Sequence, residues 1–435
     1  MTSYLICSTP VHGHVTPLLA VSRHLVQQGH RVRFLTGARY RDAVRATGAE
    51  YLPLPAEADY DDTDMDAAFP GRVGKSGVPG IRWDLSNIFL KPAPAQIGAV
   101  DEAVAAEPTD VILLESMFIG SMGLLARPRA ERPAIVNLGI IPLGLGSVDT
   151  APFGLGILPK PGRAGRIRNA MLRVITERFI FGGLQKEASA MMLATTGRPL
   201  GVFFMSGASQ ADAIVQFTVA GFEYPRRDLP ETVHFVGPVS RTTPSAAPLP
   251  EWWGELDGSR PVVHVSQGTV ANKDYEELIA PTMRALAGDD VLVLVSTGGR
   301  PVESLPHPLP ANVRAAEYLP YDALLPLTDV FVSNGGYGGV HYALEHGVPL
   351  VVAGTTEDKL EVTARVEWAG VGVNLRSHKP VPDAVAAAVR TVLADPGYAE
   401  RSRAIGAQIA ASSGLVGLES VVESLLETSP ARTAR

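Results

Sequence analysis

One stretch of the chain gathers residue types that can hold a phosphate group: Asp329-Val330-Phe331-Val332-Ser333-Asn334-Gly335-Gly336-Tyr337-Gly338-Gly339-Val340-His341. An apolar strand runs into a glycine-rich turn and then opens a helix. Free backbone amides and the positive end of the helix would converge on one spot, which suits a diphosphate. Glycines let backbone approach a ligand closely, and Asn334 can donate from its amide. The same turn serves equally well as a tight strand-to-helix connection with no ligand, because a glycine-rich turn is a weak motif by itself.

Elements that could position such a turn recur along the chain. Near the start, Leu5-Ile6-Cys7 reads as a buried strand, Thr9 to His14 as a turn, and Pro17 as the first residue of a helix with Leu18, Val21, Leu25 and Val26 at helical spacing. Gly29 ends that helix and Val32 to Leu35 is the next strand, a parallel crossover unit. Further strands are expected at Val111 to Leu114 and Ala134 to Leu138. Between them lie an irregular Asp, Gly and Pro-rich stretch, Asp59 to Lys91, and an apolar Gly and Pro-rich stretch, Gly139 to Gly162; Arg166 to Met192 is helical in pattern. The second half repeats the alternation, with strands at Val262 to Ser266, Val291 to Ser296, Val313 to Glu317, Val330 to Ser333 and Val348 to Ala353. The expected fold is α/β, two doubly wound parallel-sheet domains of Rossmann-like form facing a cleft. Residues 1–227 form the first domain, 228–250 a linker in which a strand-like Val233 to Val236 leads into the Pro, Ser, Thr and Ala of Arg241 to Pro248, 251–412 the second domain, and 413–435 a last amphipathic helix that could cross back to the first.

Bulk properties agree with two globular domains. The chain has 435 residues, too many for one core, with 46% hydrophobic and 19% charged residues. A formal net charge of −7 argues against nucleic acid as a main partner. The single cysteine, Cys7, excludes an internal disulfide framework and fits a reducing compartment. No basic leader precedes the first strand and no apolar run is long enough to span a bilayer, so the expected location is cytoplasmic, without stable membrane insertion. Oligomeric state is left open.

The glycine-rich turn has distinctive neighbours: Glu317-Tyr318-Leu319-Pro320-Tyr321 upstream, Pro349 to Lys359 downstream, and Val265-Ser266-Gln267-Gly268-Thr269 at the end of the domain's first strand. This set resembles the nucleotide-sugar-dependent glycosyltransferases of family 1, especially bacterial enzymes that decorate macrolides and polyphenols. The resemblance covers nearly the whole chain and is most specific from Tyr318 to Lys359. It implies a glycosyltransferase-B fold, a nucleotide diphosphate sugar (UDP or dTDP) as co-substrate, a small apolar acceptor, no further cofactor and no metal. By position, Tyr318 would stack on the nucleobase where the family more often has Trp, and Leu319 would contact the base through its backbone. Asn334 stands where the family usually has His. Gly335, Gly336, Gly338 and Gly339 would cradle the diphosphate, and Gly268 and Thr269 would close over it. Where relatives carry Asp-Gln to hold sugar hydroxyls, this chain has Asp358-Lys359. The family base is the His of a Gly-His-x-x-Pro turn, here Gly13-His14-Val15-Thr16-Pro17, with Glu115 in place of the usual Asp partner. His12 reads first as structural and otherwise as an acceptor-side residue; Trp83, Phe89 and Phe153 are acceptor-side candidates.

Two other classes remain open on these residues: a nucleotide-sugar epimerase of the same fold, which needs no apolar acceptor cleft, and a non-catalytic nucleotide-sugar-binding partner protein. A nicotinamide oxidoreductase is disfavoured, because Thr9 to His14 lacks the three-glycine spacing expected after the first strand. A P-loop enzyme is disfavoured too, because no Gly-Lys-Ser/Thr follows a glycine-rich loop.

Overall fold

The computed structural model describes residues 1–75, 77–239, 248–269 and 272–428. Two parallel sheets form its centre. The first contains β1 (Ser3–Cys7), β2 (Arg31–Thr36), β3 (Glu50–Pro53), β4 (Val111–Glu115), β5 (Ala134–Gly139), β6 (Ala213–Gln216) and β7 (Val233–Phe235), in the order β3-β2-β1-β4-β5-β6-β7. The second contains β8 (Val262–Ser266), β9 (Leu292–Ser296), β10 (Val313–Ala316), β11 (Val330–Ser333), β12 (Leu350–Val352) and β13 (Gly372–Asn374), in the order β10-β9-β8-β11-β12-β13. Each sheet reverses direction beside its first strand, between β1 and β4 and between β8 and β11. Ligands of open α/β sheets sit at the carboxyl edge of such a reversal. The central strands are apolar on both faces because helices cover both: Leu5, Ile6, Cys7, Ile112 and Leu113 are all fully buried.

Several boundaries differ from the sequence reading. The first helix is His12–Gln27, so Pro17 lies inside it and does not begin it. The missing proline N–H leaves the Gly13 carbonyl without its intrahelical partner, a small loss so close to the helix start. The helical pattern at Arg166 to Met192 divides into parts of two helices, Gly162–Val174 and Gly182–Thr196, joined by a π-type turn at Ile175–Ile180. The Asp59 to Lys91 stretch is more ordered than its composition suggests, with short helices at Met65–Ala68 and Gly77–Asp84. Within the expected linker 228–250, the strand-like run at Val233 to Val236 is β7 (Val233–Phe235), which pairs in parallel with β6 and extends the first sheet. Residues 240–247 of that linker fall outside the described residues. The helix Pro396–Ala411 had no counterpart in the sequence reading.

The final helix, Gly414–Glu427, returns to the first domain. Leu418 and Val422 are buried in the core under β1, β5 and β6. Glu419 meets two histidines of that domain, 2.5 Å from His24 Nε2 and 3.2 Å from His30 Nε2. No single helix among the described residues is long and apolar enough to cross a membrane. The bent pair Pro396–Ala411 and Gly414–Glu427 reaches that length and apolarity only together, and its Ile405, Ile409, Leu418 and Val422 are buried in the protein.

The two domains meet across buried polar contacts. Arg365, on the helix Lys359–Trp368, is 1% exposed and lies between Glu223 of the first domain and Glu361 of its own helix, 2.9 Å from each. Its guanidinium also covers the Tyr224 ring at 4.3 Å. Glu223 in turn accepts from the Leu143 amide at 2.8 Å and approaches Arg226 at 3.6 Å. The second carboxylate reaches across as well: Glu361 Oε1 accepts from the amides of Gly154 (2.8 Å) and Gly156 (3.0 Å). Beside this cluster, Thr218 and His341 approach to 2.7 Å, and burial pushes His341 down to about 4, keeping it neutral.

Removing the cation leaves two buried carboxylates short of a partner, which typically costs about 3–5 kcal/mol. Arg365→Ala should therefore lower the urea midpoint of the domain interface well beyond an ordinary surface change. Denaturation followed by tryptophan fluorescence checks this, and a wild-type midpoint would show that the two domains are held elsewhere.

Candidate functional site

The first half of the site is built at the reversal between β1 and β4. β1 ends at Cys7, the chain turns, and His14 falls in the first turn of the following helix, above the sheet edge. β4 ends at Glu115, which is fully buried, and Cys7 pairs in register with Leu114 beside it. Adjacent strand ends thus bring residues a hundred positions apart together. His14 Nδ1 lies 3.0 Å from Glu115 Oε2, close but not aligned as a straight hydrogen bond. Glu in place of Asp reaches the imidazole because backbone donors hold its longer side chain: the Thr9 amide donates to Oε1 at 3.2 Å and the Met117 amide to Oε2 at 2.5 Å.

The electrostatics follow from burial set against pairing. Burial alone would raise the Glu115 carboxyl, but His14 and the two amides hold it below its ordinary value. Burial alone would favour neutral His14, yet Glu115 outweighs it and raises the imidazole. Asp358 and Glu357 of the second domain push His14 the same way, so the two halves of the site feel each other across the cleft.

Next to His14 an apolar cavity opens in the first domain. Leu85, Phe89, Met117, Ile141, Phe153 and Phe204 are among its walls. Both Asp59 to Lys91 and Gly139 to Gly162 contribute to it. Phe89 stands 6.4 Å from the His14 ring, centre to centre, and Phe153 packs on Gly144. Polar points in the wall are few: Ser116 donates to Asn137 at 2.9 Å, and Gln216 donates to the Ile141 carbonyl at 2.6 Å. Trp83 takes no part in this wall; it packs edge-on against Phe69 and over Gly71, supporting the segment from outside. His12 is likewise outside the wall. Its amide donates to buried Asp62, which Tyr40 and Arg39 also hold, so it pins the 59–64 segment to the helix start.

The second half sits at the reversal between β8 and β11, where Ser266 and Ser333 pair at the strand ends. Gln267-Gly268-Thr269 leaves one strand and Asn334-Gly335-Gly336 the other. The Asn334 amide is committed: Nδ2 donates to the Gln267 carbonyl at 2.6 Å, tying the two turns together. Gly335 has φ +81°, and a Cβ there would come within 2.7 Å of Thr363. Glycine is required on both counts. The helix Tyr337–Glu345 opens directly after Gly336, with Gly338 and Gly339 in its first turn. Tyr318 is 66% exposed just after β10, with its hydroxyl and one ring edge against Gly299, so much of the ring is open to a planar ligand. Leu319 is buried in a cluster with Leu292, Leu294 and Leu324, so its side chain is committed to the core.

The Asp358-Lys359 pair shows features that spacing did not reveal. Lys359 is 6% exposed rather than solvent-facing; its stem lies against Gly354, and its ammonium pairs with Glu357. Glu357 has φ +56°, a left-handed conformation that is uncommon outside glycine and places this carboxylate at the helix entrance. Burial, helped by Glu357, pushes Asp358 up to about 6 despite Lys359 and His14. The sequence reading missed Glu357, and it missed Glu223 and Arg365. A charged Arg365 four residues after Glu361, between the apolar Val362 and Val366, was the available signal for the last.

Comparison with known proteins agrees with this geometry. Residues 281–420 match the family model "Erythromycin biosynthesis protein CIII-like, C-terminal domain". The chain is 40% identical to 4'-demethylrebeccamycin synthase of Lentzea aerocolonigenes, over 97% of this chain and 99% of that one. It is 33% identical to UDP-glycosyltransferase 2 of Phaeomoniella chlamydospora, over 97% and 95% respectively. The fold matches the crystal structure of CalG4, the calicheamicin glycosyltransferase, with a TM-score of 0.73 at 22% identity, covering 99% of both chains. Two parallel-sheet domains, a site at both reversals and end-to-end similarity to enzymes of this kind lead to one assignment: the chain belongs to the nucleotide-sugar-dependent glycosyltransferases of family 1.

Proposed function

We propose that this enzyme transfers a sugar, with inversion and without a metal ion, from a uracil or thymine nucleotide diphosphate sugar to a hydroxyl of a small apolar natural product. The observation that carries the proposal is the His14–Glu115 pair beside an apolar cavity, facing the Asp358-Lys359 end of the second domain. With Nδ1 turned to Glu115, His14 presents Nε2 to the acceptor. The acceptor oxygen attacks the anomeric carbon as its proton passes to Nε2; the bond from that carbon to the diphosphate oxygen breaks, and the diphosphate leaves with the electron pair. Glu115 stabilises the imidazolium that forms. The turn amides from Gly335 to Gly339 and the helix start meet the charge on the leaving group. An epimerase would have no use for the apolar cavity next to the base, so transfer is the better reading.

Direct displacement from an α-linked donor gives a β-linked product. With a mixed acceptor panel, product should form undiminished in excess EDTA and show β anomeric proton coupling. Retention, or a loss that magnesium restores, would refute this mechanism.

His14→Ala should reduce turnover by a factor on the order of 100 or more while nucleotide diphosphate affinity holds. Activity needs neutral His14, whose pKa is raised, so kcat/KM should fall on the acid side. Glu115→Gln removes the charge that raises it, so the acid limb should move to lower pH as the rate drops. A limb that stays in place would detach Glu115 from the base.

Lys359→Gln should reorder kcat/KM among nucleotide sugars and leave bare nucleotide diphosphate affinity within a few-fold. Asp358→Ala should slow every sugar, since a carboxylate there accepts from sugar hydroxyls. An unchanged donor ranking in the Lys359 variant would place sugar selection on other residues.

A further inference from the structure

The helix Gly162–Val174 and the π-type turn after it are built inside out. Their buried residues are Gly165, Asn169 and Thr176, small or polar. Asn169 is fully buried and its Nδ2 donates to the Val148 carbonyl at 3.0 Å. A Cβ on Gly165 would fall 1.7 Å from the Lys160 carbonyl oxygen, so the chain entering the helix folds closely over this side of it. Five large apolar residues point the other way: Ile167 is 62% exposed, Met171 61% and Phe179 76%, with Val174 and Ile175 also exposed, while Ile180 packs on the core. At helical spacing, Ile167, Met171, Val174 and Ile175 share a stripe about 100° wide, the width of a face that normally meets a core. Single exposed hydrophobics need no explanation, but a continuous stripe over successive turns marks a contact surface.

Charge identifies the occupant. From Lys160 to Lys186 the sequence holds seven Lys and Arg residues and one Glu, in a chain of formal net charge −7. Arg163 and Arg178 are exposed along with the stripe. A second copy of the chain would bring two basic strips together, which is unfavourable. An anionic surface with an apolar interior satisfies both components: apolar side chains enter it while the arginines stay at its charged boundary.

We propose that this face rests on an anionic lipid bilayer surface as an interfacial helix. Its position gives the contact a use. Arg173 donates to the Ser147 carbonyl at 2.6 Å, fastening the helix to the segment whose Leu143, Leu145 and Phe153 wall the apolar cavity. An apolar acceptor dissolved in the membrane would then be close to the wall of its site. The lipid contact itself does not depend on the proposed reaction.

The test is co-sedimentation of the full chain with phosphatidylcholine vesicles, with or without phosphatidylglycerol. Binding should be on the order of tenfold or more tighter with phosphatidylglycerol and should weaken as salt is raised. The combined variant Ile167→Ser, Met171→Ser and Phe179→Ser should lose it, and so should the pair Arg163→Glu and Arg178→Glu. Both should keep the wild-type Tm and turnover on a water-soluble acceptor, since these side chains are exposed and away from the base. No binding to either vesicle, equal binding to both, or undiminished binding by folded variants would overturn the proposal. So would a concentration-dependent dimer that the apolar variant abolishes when no lipid binding is seen.

Discussion

Arg365 sits where the two domains must agree. Its guanidinium is taken out of water almost completely, a state that is tolerable only with full pairing, and Glu223 and Glu361 provide it from two sides. The pairing is geometrically demanding because one carboxylate belongs to each domain. Glu361 then extends the link by holding the Gly154 and Gly156 amides, and a Cβ on Gly156 would come 2.9 Å from the Leu360 carbonyl oxygen. The acceptor-side loop bearing Phe153 is therefore fixed by the helix that begins at Lys359. Buried ion pairs contribute little net stability compared with an apolar replacement, but they are selective about arrangement. Here the arrangement is the width of the cleft and the position of one cavity wall.

Within that frame the site is a repeated solution. Each sheet reverses beside its first strand, and each reversal supplies a turn and a helix start at a strand edge. At the first edge the turn carries an imidazole and the neighbouring strand a carboxylate. At the second, glycines leave room for backbone amides. The difference is chemical rather than architectural. Burial then sharpens both halves: Glu115 remains a carboxylate because His14 and two amides compensate its desolvation, while Asp358, less well compensated, is raised to about 6. The carboxylates of the second domain favour protonated His14 in turn, so donor-side charge and the pKa of the imidazole are coupled.

The surface of the first domain shows the converse of core packing. The Gly162–Val174 helix buries Asn169 and Gly165 and exposes Ile167 and Met171, opposite to what solvent alone would select. That inversion is local: the Gly414–Glu427 helix, also amphipathic, buries Leu418 and Val422 in the ordinary way.

Much of this protein was legible from local pattern alone. Apolar strand runs alternating with helical spacing specified two parallel-sheet domains, because strands buried on both faces must be continuously apolar. The glycine-rich stretch from Asn334 to Gly339 marked a strand-to-helix turn, and the left-handed backbone that favours glycine falls at Gly335. Family resemblance singled out His14 and Glu115, but spacing could not say how a Glu would reach the imidazole; the Thr9 and Met117 amides decided that. Composition made Trp83 and Phe153 equal candidates, yet only Phe153 lines the cavity, since ring direction depends on long-range packing. Lys359 could have faced solvent, a carboxylate or the donor by sequence; burial against Gly354 and the turned backbone at Glu357 selected the carboxylate. Glu223, Glu361 and Arg365 became one cluster only in three dimensions, because burial of a charge is a property of everything packed around it, not of the residues beside it in the chain.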